Sequence, residues 1–449
     1  MNVDYLVAEI GSTTTLVTAL DFKNGAEIVG QGKAFTTVLD GDVTIGLKNA
    51  IREIEENIGS KLTYKKMLAT SSAAGGLKIT VHGLVEDMTV KAGREAALGA
   101  GGIIKMVTAG KLRKGDLKRI KEINPNLIMI AGGTDYGERD TALYNSEVIS
   151  KEGLKIPIVY CGNVANIDEV KEIFKGQELY IIENVYPRVD EINVEPARKV
   201  IQKAFENNIV KAPGMEKIKE MVDGTIMTTP GAVMEATKLL YEEIGDVVVI
   251  DVGGATTDVH SVTEGSSEIL DMLVIPEPKA KRTVEGDLGV YINSMNILEL
   301  MSKEELNGMS REEILKYIKP IPSNEVEKKW SEVLRDKAVN SAFKRHVGVI
   351  KRSYGSGKNF LAYGKDLSKV KYIVGTGGAL TKLPNGKTIL EKIKYIGSDL
   401  TMYPKDDAKV LLDNLYIMAL AGVLSKEDKT LAIKLLNRSL EIWKEYILA

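Results

Sequence analysis

With 449 residues, 44% of them hydrophobic, the chain is long enough for two or three domains that each bury a core. Sixty Lys and Arg against 62 Asp and Glu leave a formal net charge of -2, so charge gives no reason to expect nucleic acid or an anionic membrane as partner. Cys161 is the single cysteine, which excludes a disulfide framework and any zinc or iron–sulfur site built from several cysteines of one chain.

Strands are expected over 4–10, 14–22 and 27–33, joined at Gly11-Ser12 and Asn24-Gly25 into an antiparallel meander. Asp42 caps a helix whose Ile45, Leu47, Ile51, Ile54 and Ile58 share one face before Gly59 ends it. The basic stretch 111–121 carries Leu112, Leu117 and Ile120 at helical spacing and reads as a solvated helix. From Leu127 buried strands (127–130, 156–160, 179–182) alternate with amphipathic helices (140–150, 168–175), the βαβαβ pattern of a parallel sheet, with Gly132, Gly133 and Gly162 at strand ends. Pro230 opens a helix over 231–243 that leads to a strand at 247–252; strands 256–262 and 268–275 complete a second meander. A helical stretch, 287–343, a strand at 372–374 and two closing helices, 411–424 and 428–446, complete the chain. The expected division is a first lobe, 1–104, an inserted α/β subdomain, 105–222, and a second lobe, 223–449. No apolar run approaches the roughly 20 residues of a membrane span and no leader is read at the start, so a cytoplasmic protein is expected.

Three glycine turns each follow an apolar strand: Glu9-Ile10-Gly11-Ser12-Thr13-Thr14, Asp251-Val252-Gly253-Gly254-Ala255-Thr256-Thr257-Asp258, and Gly375-Thr376-Gly377-Gly378. Glycine lets the backbone turn tightly while amides and neighbouring hydroxyls stay free to hold phosphate oxygens. Glu9 and Asp251, each at a strand end just before its turn, are the candidates to hold Mg2+ through water, and Asp258 would support the second turn. Any one of these turns alone is equally an ordinary hairpin or strand–helix loop.

Their order resembles the phosphate-1, phosphate-2 and adenosine motifs of the actin, sugar kinase and Hsp70 superfamily. Thr229-Pro230-Gly231-Ala232-Val233 and Ala419-Leu420-Ala421-Gly422 resemble its two connecting motifs, and Glu285-Gly286-Asp287-Leu288 is similar to its nucleoside-contacting helix start. This implies a two-lobed α/β ATPase fold of duplicated ribonuclease-H-like lobes with ATP and Mg2+ between them. Within that superfamily the chain resembles the MutL-type accessory proteins of glutamate mutase and related aminomutases, the GlmL family. The likeness runs through 37–46, 71–77, Ala131-Gly132-Gly133-Thr134-Asp135, Glu195-Pro196-Ala197-Arg198, 251–261 and 281–289. It implies an ATPase that services adenosylcobalamin-dependent aminomutase subunits by exchanging damaged cobalamin, with a homodimer open to it.

The superfamily has Asp where this chain has Glu9, and often an acid where it has Thr229, so one candidate for orienting water is missing; Glu9 or Asp251 is then expected to position the attacking water, and slow or partner-dependent hydrolysis is expected. A small-molecule kinase on the same fold and a nucleotide-binding scaffold with negligible turnover remain as alternatives. His260 lies in a near-match to a cobalamin motif, but Thr263 replaces the glycine and the segment is a strand, so a strand histidine is expected. His82 and His346 lack partners at metal spacing and are expected to be structural or on the surface. The loop 131–135 is read either by a partner or as a tight strand end. Lys281-Arg282 is expected to face solvent.

Overall fold

The computed structural model describes all residues except 24, 26, 38–40, 73–76, 101, 190, 210–213, 225, 353–359, 395–399 and 443–449. Asn24, three residues of the segment 37–46, most of 71–77, and the end of the last helix therefore lie outside the described residues.

Two five-stranded sheets share one strand order. The first runs Ile226–Thr228, Thr63–Ser71, Asn2–Ile10, Thr14–Asp21, Glu27–Phe35; the second runs Lys409–Leu412, Tyr372–Thr376, Val247–Val252, Thr257–Val262, Ala280–Glu285. In each, the first three strands in chain order form an antiparallel meander, the fourth pairs parallel with the first, and the fifth with the fourth. The pseudo-repeat expected from the glycine turns is thus a repeat of whole topology, the two-lobed, duplicated ribonuclease-H-like arrangement.

The helix Val43–Ile58 is capped as expected: Asp42 accepts from the Thr44 amide and Gly59 ends it at φ +66°. Its Leu47, Ala50 and Ile54 cover the outer face of the first sheet. Helices Thr229–Ile244 and Met418–Leu424 lie between the lobes, sharing a core with the inner faces of both sheets. The second lobe's outer core gathers around the helix Glu325–His346.

A third sheet leaves the first lobe between its fourth and fifth strands. All five strands are parallel, in the order Ile103–Ala109, Lys78–Gly83, Leu127–Ile130, Ile158–Tyr160, Leu179–Ile181. This is a doubly wound order, in which the carboxyl ends of the strands carry the ligand-facing loops. Its first strand begins at Lys78, so the expected boundary at 105 falls inside the sheet. The run Ile79-Thr80-Val81 is short, β-branched and buried, and by periodicity it fits either sheet.

Two other expectations shift. Residues 268–275 are not a strand: Ser266 caps a short helix, Ser267–Leu270, and the third strand of the meander is Ala280–Glu285. The expected helix 411–424 divides into the strand Lys409–Leu412 and the helix Met418–Leu424, because Val410 and Leu411 pair with the strand Tyr372–Thr376. Among the described residues no helix is long and apolar enough to cross a membrane.

Candidate functional site

Successive side chains on a strand point to opposite faces. On Asn2–Ile10, Leu6, Ala8 and Ile10 join Leu47 and Ile54 in the outer core, whereas Val7 joins Val233 and Ala421 between the lobes. Glu9 shares the face of Val7. On Val247–Val252 the same period sends Val248, Ile250 and Val252 outward and Val247, Val249 and Asp251 inward. Pleat parity alone brings both acids to the space between the lobes.

The two hairpins close alike. The Gly11 amide donates to the Thr14 carbonyl at 3.0 Å and the Gly253 amide to the Thr256 carbonyl at 2.9 Å. A Cβ at Gly11 would lie 2.7 Å from the Thr14 carbonyl oxygen, so the turn needs glycine. The turns face each other: a Cβ on Gly254 would meet Thr13 Oγ1 at 3.5 Å. Between them lies a cavity of about 550 Å³ lined by Glu9, Gly11, Ser12, Thr13, Thr14, Asp251, Gly253, Gly254, Ala255, Thr256, Asp258 and Gly378.

The cavity floor is short of positive charge. Desolvation raises the Glu9 carboxyl to about 7, with the Asp413 charge adding to the rise and a hydrogen bond from Tyr416 opposing it. Asp251 is pushed well above the usual carboxylate range by desolvation and then by repulsion from Asp258 and Glu9. Asp258 Oδ2 accepts from Arg282 Nη2 at 3.0 Å, while its buried Oδ1 has no hydrogen-bond partner. Elsewhere on the lining stand Lys33 and Lys382, one from each lobe. Burial lowers the Lys33 pKa against the pull of Glu53, and the Lys382 charge lowers it further. Glu9 and Asp251, two buried acids with no ion pair among the described residues, share one cavity with lysines from both lobes, which fits a divalent metal with a polyphosphate. Two carboxylates offer oxygen donors of the kind that hold Mg2+ through its retained waters.

The other expected residues support the cavity without lining it. Thr257 is buried and donates to the Leu288 carbonyl at 2.7 Å. Glu285 accepts from Arg345, which also holds Asp287, so the turn at Gly286 is drawn away toward the helix Glu325–His346. Gly375 sits under Leu380, Leu390 and Leu412, and Thr376 donates to Asp413 Oδ2 at 2.8 Å. Gly377, at φ +85°, backs onto the second turn, where a Cβ would come within 2.5 Å of Asp251 Oδ1. Gly378 alone of that motif reaches the lining, where Ile318, Pro320, Ile321, Pro322, Leu383 and Pro384 complete an apolar wall interrupted by Lys319.

Several contributors carried no readable signal. Tyr416 donates its hydroxyl to Glu9 Oε1 at 3.1 Å from a stretch that reads as helix in sequence. Lys33 and Lys382 are two among many lysines. Lys281 and Arg282 are 3% and 2% exposed, against the expectation of solvent, because strand Ala280–Glu285 is covered by the helix Lys91–Gly99 of the inserted sheet. All three histidines are buried: His82 bonds Thr80 and Thr108, His346 bonds Ser261 and Thr283, and neither ring nitrogen of His260 has a partner.

The MutL protein family matches residues 5–440. "Protein MutL" of Clostridium tetanomorphum is 36% identical over 458 residues, spanning 97% of this chain and 99% of that one. The chain belongs to the MutL protein family. Solved structures resemble this MutL-family chain more distantly. Nucleotide-free acetone carboxylase is 16% identical over 94% of this chain and 70% of that one, with a TM-score of 0.42. Component A of the (R)-2-hydroxyglutaryl-CoA dehydratase of Acidaminococcus fermentans is 10% identical over 97% and 99%, with a TM-score of 0.33. A glycerol dehydratase reactivase is 11% identical over 86% and 94%, with a TM-score of 0.31.

Proposed function

We propose that the cleft binds ATP with Mg2+ and hydrolyses it slowly, and that the protein uses this cycle in the cytoplasm to maintain an adenosylcobalamin-dependent aminomutase. The observation that supports nucleotide binding is the convergence of Glu9 and Asp251, each with its own glycine turn, on one cavity from two lobes of the same topology. The aminomutase role rests on membership in the MutL family and the motif resemblance.

In this reading the amides of Ser12, Thr13, Gly254 and Ala255, with the neighbouring hydroxyls of both turns, hold the phosphates, while the Gly11 and Gly253 amides close the turns themselves. Glu9 and Asp251 orient the metal's water shell, and the apolar wall near Gly378 seats the nucleoside. Mg2+ would supply the charge that offsets these acids and the phosphates. Thr229 lines the cleft where an acid would help to orient water, and its hydroxyl bonds that of Thr70 at 3.4 Å, which gives slow turnover a cause.

The test is to incubate the protein with Mg-ATP and an inactivated aminomutase holoenzyme plus fresh adenosylcobalamin. Recovery of mutase activity that requires ATP supports the reading. ATP turnover that phosphorylates a metabolite assigns a kinase instead, and binding without turnover assigns a scaffold.

A further inference from the structure

Tyr416 stands in a costly backbone conformation and is aimed at a functional acid. Its φ of +52° is one that an aromatic residue avoids unless its surroundings fix it. Asp413 does the fixing. It is fully buried, and its carbonyl accepts from the Tyr416 amide at 2.8 Å. Its Oδ2 accepts from the amides of Ile417 at 2.8 Å and Met418 at 2.9 Å and from Thr376 Oγ1 at 2.8 Å, and its Oδ1 from Ser439 Oγ at 2.5 Å. Asp413 anchors the turn to the second lobe's sheet and Gln31 Nε2 of the first lobe donates to the Leu415 carbonyl at 2.9 Å, while the tyrosine hydroxyl ends on Glu9 Oε1 in the first lobe's sheet, 3.1 Å away.

The duplication shows what this contact adds. Glu9 and Asp251 occupy equivalent places, opposite Thr70 and Thr376 on the neighbouring parallel strands. Glu9 is one methylene longer and has one more torsion to fix. Among the described residues it is Glu9, and not Asp251, that receives a side-chain hydrogen bond from the other lobe.

We propose that Tyr416 is a positioning residue for Glu9. It binds Oε1, holds the longer side chain in one rotamer and leaves Oε2 for the metal's water shell. The inference rests on the ATPase reading above.

The experiment measures phosphate release at varied Mg-ATP for the full-length wild type, Y416F, E9D and the double variant, with melting curves to confirm folding. Y416F is expected to lower kcat roughly tenfold or more while KM moves less than about threefold, since a displaced catalytic group costs rate more than binding. In the E9D background, where the shorter acid falls short of the hydroxyl, Y416F should add less than about twofold. A merely structural tyrosine would impose the same loss in both backgrounds. That outcome, or an unchanged kcat in Y416F, overturns the positioning role and leaves the ATPase reading standing. A wild type with no Mg-ATP turnover overturns both.

Discussion

Glu9 holds its proton up to about pH 7, and the sign of the consequence is fixed by that rise from the ordinary 4.5. Between those values the folded protein keeps a proton that the unfolded chain has released, so this group's contribution to stability falls as pH rises through the window and stays low above it. Glu9→Gln removes the effect. The melting temperature of the wild type, relative to that variant, is expected to decline from about pH 5 to about pH 8 without nucleotide. Metal binding runs the other way, because the carboxylate must shed its proton first. Calorimetric titration with Mg-ATP should show affinity rising by up to about tenfold per pH unit below about 7 in the wild type and little slope from this group in Glu9→Gln. Asp251 faces the same floor with three acids around it. Asp251→Asn should relieve that repulsion and raise the melting temperature of the nucleotide-free protein, while weakening Mg-ATP binding by roughly tenfold to a hundredfold in the same titration.

Between the lobes the two connecting helices, Thr229–Ile244 and Met418–Leu424, approach so closely that a Cβ on Gly422 would lie 1.8 Å from the Ala232 carbonyl oxygen. Backbone cannot yield there as a flexible side chain can. Gly422→Val is expected to lower the free energy of unfolding by about 3 kcal/mol, read by urea denaturation, as over-packed cores do. Gly115→Ala is the control: it lies in the helix Lys114–Ile123 with open space around it, and should be neutral or stabilising by about 0.5 kcal/mol. The closeness of that pair was legible as motif and not as geometry. Sequence revealed both hairpins, because Gly-turn chemistry is local, and it set Glu9 and Asp251 at the strand ends before them; that both face the space between the lobes is a matter of pleat parity, which only the pairing of the strands displays. It did not reveal where the inserted sheet starts, since Lys78–Gly83 is a short β-branched run like the lobe strands around it. Nor did it reveal Tyr416, Lys33 or Lys382, whose places depend on chain crossings hundreds of residues apart.

Across the whole molecule, the inserted sheet is fastened to the second lobe through a buried polar seam and not an oily one. Arg282 Nη1 donates to the Leu98 carbonyl in the last turn of the helix Lys91–Gly99 at 2.7 Å, and its Nη2 donates to Asp258 on the cavity lining. Beside it Arg198 Nη2 donates to the Ala280 carbonyl at 2.8 Å, and Lys91 pairs with Glu277 at 2.5 Å. One guanidinium therefore touches both the cleft and the inserted domain. Removing it strands a carboxylate that already has one unpartnered oxygen. Arg282→Met should cost about 3–5 kcal/mol in chemical denaturation, the usual result of breaking one side of a buried pair. Adding Asp258→Asn to that variant removes the stranded charge and should restore most of the loss. His260 offers the contrasting case on the same strand face. Burial and the Arg282 charge keep its ring neutral, and neither nitrogen is bonded, so His260→Leu should leave stability unchanged or raise it. If His260→Leu instead destabilised as much as Arg282→Met, the histidine would be a working member of the seam, and the neutral, unbonded ring assigned to it would be wrong.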